Sequence, residues 1–259
     1  MGTQTPGKLT IKNRTNKYEI TVVANSDTGN VYDGTAKSAT GFETLSFTVD
    51  GHNYTVEGLT TSDPSSANVC ELTNAISGTA LVKDAAGNDV TNQFVVSTTD
   101  GSLIITQKPV KVTARSKAFA YTGTAQSWPE YEVNGLVGND ALTAVVTGSI
   151  TFPSQSPVTN ELTSYQFTSG TPGNYSVTTA NGQLTMTHAS VSITITAASQ
   201  SWTYDGNAHT NNTVTVTSGS LLTGDSLVAT ATGSVTNVAQ TAKNTLSVRA
   251  SSHVVIRLS

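Results

Sequence analysis

The side chains that could do chemistry in this chain are few and scattered. Asp84, Asn88 and Asp89 fall in one run, Asp84-Ala85-Ala86-Gly87-Asn88-Asp89, and offer the oxygen ligands that a calcium ion takes. Gly138-Asn139-Asp140 and Gly224-Asp225-Ser226 are similar turns. No run reproduces a full loop of about six ligands, so no metal site is expected. His52, His188, His209 and His253 stand singly, with no pair at metal-ligand spacing. Cys70 is the single cysteine, which excludes a disulfide or a Cys-rich metal site within one chain. Serines are abundant, but no Gly-x-Ser-x-Gly elbow occurs. Asp33 and Asp205 have the chemistry of ligands or acid–base groups. Each, however, precedes a glycine, and Asp-Gly marks a turn in which Asp bonds its own backbone. The expectation is a chain with no catalytic residue and no cofactor.

The residues that do recur are structural. Val31-Tyr32-Asp33-Gly34-Thr35-Ala36 returns as Ala120-Tyr121-Thr122-Gly123-Thr124-Ala125 and as Thr203-Tyr204-Asp205-Gly206-Asn207-Ala208. Thr122 stands where the other copies carry Asp33 and Asp205, so the turn survives without a carboxylate. Each copy follows a run of alternating Thr and Val or Ile, and recurrence at a fixed period sets the architecture. The motif residues Tyr32, Asp33, Gly34, Tyr121, Gly123, Tyr204, Asp205 and Gly206 therefore read as a repeat signature. Each tyrosine is expected to plug one end of its own core, with its hydroxyl on a backbone partner. A glycan-stacking platform is the functional alternative. Trp128 and Trp202 are isolated aromatics, read as packing residues near strand ends.

The elements that hold these residues read as strands. Only 12% of the chain is charged, and Thr, Ser, Val and Asn take the place of charges. Thr and Val suit a pleated, half-buried surface, and the 21 glycines supply turns. No long stretch has apolar residues at helical spacing, so helix should be nearly absent. The net charge is -4 and no basic stripe exists, which argues against nucleic acid and anionic membrane as partners. No segment approaches the roughly 18 apolar residues of a membrane helix, so direct membrane insertion is not expected. Residues 1–6 lack the charged and apolar regions of a signal peptide.

In chain order, Gly7-Lys8-Leu9-Thr10-Ile11 matches Gly101-Ser102-Leu103-Ile104-Ile105 and Gly182-Gln183-Leu184-Thr185-Met186. Residues 1–15 are therefore read as the last strand of a preceding repeat. Repeat one spans 16–107, repeat two 108–188, and repeat three 189–259 with its C-terminal part truncated. Asp50-Gly51 predicts a hairpin between Phe42–Val49 and Asn53–Val56. Gly58-Leu59 ends that pair, and Asp100-Gly101 predicts a closing hairpin between Phe94–Ser97 and Leu103–Ile105. Repeat three has no recognisable closing hairpin. Val254–Leu258 is apolar and β-branched but mispatterned, so fraying there is expected, with the segment filling part of the gap as a strand as the alternative. The short linkers predict units stacked end to end.

A Thr/Val strand, then Tyr-Asp-Gly-Thr-Ala, then Val-x-Gly-Leu, Gly-Asp, Ala-x-x-Thr-Gly-Ser and Asn-Tyr-x-Val with Asn-Gly-x-Leu-Thr resembles the YDG/MBG-type repeats of large bacterial surface proteins. The likeness covers nearly the whole chain and is strongest over repeats two and three. Repeat one departs by an insertion between Tyr32 and Val56-Glu57-Gly58-Leu59, and repeat two by Thr122. The resemblance implies an extracellular or cell-surface stalk or adhesive array. The fold expected is all-β: an elongated tandem of small β-sandwich, Ig-like repeats, with a β-grasp-like or other elongated β module as the alternative. The function expected is a non-enzymatic spacer or adhesion module. Its partners would be neighbouring repeats and, in the adhesive case, host glycans, mucin or other surface proteins. An accessory module of a secreted polysaccharide-acting enzyme is the remaining alternative. Some surface β domains carry Lys–Asn crosslinks. Repeat three has no lysine in its first strand, which excludes a crosslink shared by all repeats.

Overall fold

The computed structural model describes residues 3–250 and, for 254–258, the backbone path. Among these the fold is all-β, with helix confined to three-residue 3-10 turns at Thr91–Gln93, Pro153–Gln155 and Pro172–Asn174. The chain forms two compact units. One takes the chain up to Val110 together with residues 135–140 and 169–176. The other takes residues 111–134, 141–168 and Val177 onward. The first unit thus includes two loops of the segment read as the second repeat.

The first repeat contains β1 (Tyr18–Val23), β2 (Asp27–Val31), β3 (Lys37–Ser38), β4 (Ser46–Val49), β5 (His52–Thr61), β6 (Ser65–Ser66), β7 (Cys70–Asn74), β8 (Ile76–Asp84), β9 (Phe94–Thr99) and β10 (Gly101–Thr106). The second contains β11 (Lys108–Ala114), β12 (Lys117–Ala120), β13 (Tyr131–Asn134), β14 (Ala141–Thr147), β15 (Val158–Ser169), β16 (Tyr175–Ala180) and β17 (Gly182–Thr187). Then come β18 (Ala189–Ala197), β19 (Val214–Ser218), β20 (Leu227–Thr232), β21 (Thr245–Ala250) and β22 (Val254–Leu258). The Thr/Val alternation does what a period of two dictates. Ile20 and Val22 of β1, Val110, Val112 and Ala114 of β11, and Ile193 and Ile195 of β18 are buried, while the residues between them are more open. In the first unit Val56, Val82 and Phe94 close on Ile20 and Val22. In the second, Ile150, Leu184 and Met186 close on Tyr121.

The pairing corrects one expectation. Phe94–Ser97 and Leu103–Ile105 are both strands, but they do not form a hairpin. β9 runs parallel to β1, with Phe94 beside Tyr18, whereas β10 runs parallel to β2 and antiparallel to β7. At Asp100-Gly101 the chain crosses from one sheet to another. The second repeat repeats the plan: β16 joins the β13-β11-β16 sheet and β17 the β12-β17-β15-β14 sheet. The glycine that opens the second strand is required by close approach, not by turn geometry. A Cβ on Gly101 would lie 2.1 Å from the carbonyl oxygen of Asn25, and one on Gly182 2.6 Å from those of Ala114 and Arg115. Such contacts are closer than any side chain tolerates, so only glycine lets these backbones pass.

The Asp50-Gly51 hairpin is present, with Val49 opposite His52. Its second strand does not stop at Gly58. β5 runs on to Thr61 against β8, with a register shift between Glu57 and Leu59 that absorbs the glycine as a bulge. Val254–Leu258 takes the alternative to fraying. It forms β22, parallel to β18 with Ala189 opposite Val254, and so takes the place beside β18 that β9 takes beside β1. Backbone pairing, which is indifferent to side-chain identity, overrides the poor pattern. Residues 3–14 lie in no sheet, and Leu9 and Ile11 are fully exposed.

Close approach at Gly182 makes a direct prediction. Gly182→Ala should lower stability by about 1–3 kcal/mol, the usual cost of overpacking. Gly29→Ala, with nothing within 4 Å of the added methyl, should stay within about 0.5 kcal/mol. Urea unfolding of both variants measures the contrast, and equal effects would remove the steric argument.

Candidate functional site

The Tyr-x-Gly turns have the same local construction in all three copies. Gly34, Gly123 and Gly206 carry φ of 79°, 84° and 80°, a left-handed conformation that glycine adopts without penalty. Asp33 Oδ1 accepts the Thr35 N–H at 2.9 Å and the Thr35 hydroxyl at 2.6 Å, and its Oδ2 meets Lys37 Nζ at 2.8 Å. Asp205 Oδ1 accepts the Asn207 N–H at 2.9 Å and contacts His209 Nε2 at 2.9 Å. At the Thr122 copy, Gln126 Nε2 donates to the threonine hydroxyl at 3.0 Å. In each copy the residue four positions on (Lys37, Gln126 or His209) reaches back to the variable position. The bond from Lys37, with those from Thr35, holds the Asp33 carboxyl well below its ordinary range. The bonds from Asn207 and His209 lower that of Asp205. These carboxylates are occupied in closing a turn.

The calcium candidates are occupied in the same way. Asp84 Oδ1 accepts the N–H groups of Ala86 and Asn88, both at 2.9 Å, and the Asn88 amide also donates to Asp84. Asp89 accepts from the Thr91 N–H and hydroxyl. Among the described residues no three His, Cys, Asp or Glu come together as a possible metal set. His52 and His188 are exposed, Cys70 is half-buried in β7, and His253 lies outside the described residues.

Two motif tyrosines are buried and one is not. Tyr32 donates its N–H to Thr106 O at 2.9 Å and sets its ring edge-on to Tyr175, with centroids 5.3 Å apart. The Tyr32 hydroxyl points at Asp140 Oδ2 at 3.5 Å. The Tyr175 hydroxyl donates to the same oxygen and accepts the Val137 N–H at 3.2 Å. Tyr121 is 2% exposed, and its hydroxyl lies 3.3 Å from Thr223 O and 3.4 Å from Asp225 Oδ1. The carboxylate acceptors were not expected. They come from Gly138-Asn139-Asp140 and Gly224-Asp225-Ser226, the two turns whose acids looked like metal ligands. Tyr204 is 62% exposed, which corrects its reading as a core plug. Tyr32 and Tyr121 are covered by the Gly-Asp loop of the next repeat, and the described residues include no such loop over Tyr204.

Beside Tyr204 is a cleft lined by Trp202, His209, Asn211, Val235 and Asn244. Trp202 stacks on the His209 ring at 5.2 Å with an interplanar angle of 13°. Among the described residues no carboxylate lines this cleft. At its back, Asn244 Nδ2 donates to the carbonyls of Ala198 at 3.1 Å and Asn211 at 2.7 Å. Asn160 Nδ2 binds the carbonyls of Arg115 and Trp128 in the same way, and Asn74 Nδ2 those of Asn25 and Gly41. Sequence reasoning missed this triplicated amide. Its signal was the parallel between Asn160-Glu161-Leu162 and Asn244-Thr245-Leu246, where an asparagine stands at or near the start of a strand.

No family model, curated protein or solved structure matches this chain.

The unequal burial of the tyrosines sets an expected contrast. Tyr121→Ala should destabilise the second unit by about 3–5 kcal/mol, as buried aromatic truncations do. Tyr204→Ala should stay within about 0.5 kcal/mol. Chemical unfolding monitored by near-ultraviolet circular dichroism distinguishes them, and a large loss at Tyr204 would contradict its exposure. A second expected outcome concerns pH. Burial, then the bond to Asp140, pushes Tyr175 well above its ordinary value of 10.0. The folded state holds the phenol neutral, so this contribution is intact below about pH 10, where the unfolded phenol begins to ionise, and is lost as pH rises further. The melting temperature should fall above about pH 10. Tyr175→Phe should flatten that fall, and an unchanged slope would show that Tyr175 ionises freely in the fold.

Proposed function

We propose that this chain is a non-enzymatic stalk or spacer module of a bacterial cell-surface protein, built from tandem Ig-like β-sandwich repeats. The observation that carries the reading is the tyrosine joint. Tyr32 reaches Asp140 and Tyr121 reaches Thr223 and Asp225, so the Tyr-x-Gly turn of one repeat is capped by the Gly-Asp loop of the next. A cap of this kind couples successive repeats through a buried aromatic and its hydroxyl, the nearest-neighbour coupling that stabilises repeat arrays. Two further features support it. The carboxylates with the chemistry for catalysis are used up in turns and joints, and the recurrent motif resembles YDG/MBG-type repeats. The calcium option loses support on the same ground, since Asp140 and Asp225 already serve hydroxyl donors.

A second reading, a glycan- or mucin-binding adhesin repeat, is favoured by one observation: Trp202, Tyr204 and the amide-bearing wall of Asn211 and Asn244 share an open cleft. Aromatic faces with amides suit a sugar ring. One face of Trp202 is taken by His209, which leaves one face of a single indole, whereas the tyrosine joint recurs at two repeats, so the spacer reading ranks first. A glycan array and a mucin pull-down separate the two. A spacer gives no glycan signal, whereas an adhesin gives one that Trp202→Ala abolishes. Surface protease treatment of intact source cells tests the location. Loss of the protein under that treatment supports the surface reading, and full protection overturns it.

A further inference from the structure

The edge strand β14 of the second repeat lacks the neighbour that its counterpart has in the first. Strands β7 and β8 are separated by Ala75 alone and together correspond to β15, since Asn74 of β7 and Asn160 of β15 make the same pair of carbonyl bonds. The strand that pairs with β8 is β5, and the strand beside β15 is β14. On the outer side of β5 the first repeat lays β4 antiparallel, with Phe47 opposite Tyr54 and Val49 opposite His52. In the second repeat the strand that precedes β14 in the chain is β13, and it pairs with β11 instead, Val112 opposite Val133. The outer side of β14 therefore has no strand beside it among the described residues. Its backbone is free to pair there. The Val145 carbonyl turns toward β15, where it accepts the Thr163 hydroxyl at 3.2 Å. Backbone groups alternate in direction along an antiparallel strand, so the N–H and C=O groups of Leu142, Ala144 and Val146 turn to the free side. The sequence Ala-Leu-Thr-Ala-Val-Val-Thr holds no proline and no charge, two of the devices by which natural sheets blunt an edge. Its outward Val145 is 53% exposed. Tyr165, two residues beyond Thr163 and so on the same face, is 42% exposed.

We propose that β14 is an interaction surface and that its partner is β14 of a second copy of this chain, paired antiparallel about a two-fold axis at Ala144. In that register Leu142 lies opposite Val146 of the second copy, Thr143 opposite Val145, and Ala141 opposite Thr147. The backbone groups that turn outward, those of Leu142, Ala144 and Val146, meet the same three residues of the second copy, so the ladder is self-complementary. The side chains agree with it. Leu142 and Val146, buried on the inner face, meet on that face, and Thr143 and Val145, both β-branched, meet on the outer one. Such cross-strand pairs stabilise a sheet, and no like charges are brought together. The first repeat shows that the fold accommodates an antiparallel strand on this side, and the strand it uses, Ser46-Phe47-Thr48-Val49, is uncharged like β14. The contact is isologous, so it closes as a dimer and joins two four-stranded β12-β17-β15-β14 sheets into one. Backbone bonds give affinity, and alternate side chains give register. Side-by-side pairing goes beyond the spacer reading and does not depend on it.

Sedimentation equilibrium of the full chain tests it. The weight-average mass should rise from 26.8 kDa toward twice that value as concentration increases through the micromolar range. Amide exchange at Leu142, Ala144 and Val146 should slow over the same range. The double variant Thr143→Lys/Val145→Lys changes only outward side chains and sets lysine opposite lysine across the axis. It should remain at the monomer mass with its thermal transition unchanged, and so should Thr143→Glu/Val145→Glu. An equimolar mixture of the two sets lysine opposite glutamate and should recover the dimer. A parent chain that stays monomeric throughout overturns the proposal and leaves the edge to a strand of another protein. A lysine variant that associates as the parent does, or a mixture that stays monomeric, overturns it as well. The exchange measurement uses the parent chain, so unchanged exchange at the three amides overturns the proposal even where a variant loses its fold.

Discussion

The architecture depends on a buried amide facing a glycine. Asn74 ends β7, Asn160 lies near the start of β15 and Asn244 immediately precedes β21, and each spends its amide hydrogens on two carbonyls from separate segments. Where a central strand is present, the residue opposite the asparagine is Gly101 or Gly182. The two needs are linked. The central strand must pass so near the neighbouring carbonyls that a Cβ has no room, and those carbonyls, drawn inward, must find donors. An unpaired buried carbonyl costs on the order of 1–3 kcal/mol, so one asparagine that satisfies two is a substantial part of the fold's marginal stability. Leu103 and Leu184, both fully buried two residues after the glycine, then fill the core that this packing creates.

Residue types that suggest chemistry are used here for geometry. Asp33 and Asp205 close turns, and Asp84 gathers donors from its own loop. Asp140 and Asp225 accept tyrosine hydroxyls. A carboxylate suits these roles because it accepts several bonds at once and because charge-assisted bonds are stronger than neutral ones. The lowered carboxyls of Asp33 and Asp205 mark this structural use, since each traces first to a bond within its own turn. Perturbed carboxylates identify a functional site only when they converge on a cleft. Here the cleft beside the motif is lined by aromatic, amide and hydroxyl groups.

Much of the local structure was legible in the sequence. Alternating Thr and Val in Tyr18–Val23 and Val110–Ala114, and the turn residues at Asp50-Gly51 and Gly34, reflect sterics that act within a few residues. Pairing was not legible. Phe94–Ser97 and Leu103–Ile105 flank an Asp-Gly, which is a hairpin signal. The strands nevertheless part to different sheets, because the glycine answers to Asn25 across the fold and not to its own turn. The joint was half legible. Tyr32, Tyr121 and Tyr204 looked alike because their own repeats treat them alike. Their burial is decided by a loop about a hundred residues further on, as the separations of 108 for Tyr32–Asp140 and 104 for Tyr121–Asp225 indicate.

That separation explains why equal motifs end in unequal environments. A tyrosine whose cover comes from the next repeat has its burial set by that neighbour, so a repeat's stability is not a property of its own sequence alone. Tyr121 has Leu222 packed on its cluster and Thr223 at its hydroxyl, and it is buried. Tyr204 has the same turn, the same left-handed glycine and the same reach-back from position four, and it is open. The local motif forms in both places because Asp205 and His209 close it without help. Burial of the ring is then a separate step that needs a second surface. The turn thus closes within its own repeat, while burial of the ring at Tyr32 and Tyr121 draws on residues about a hundred positions further on.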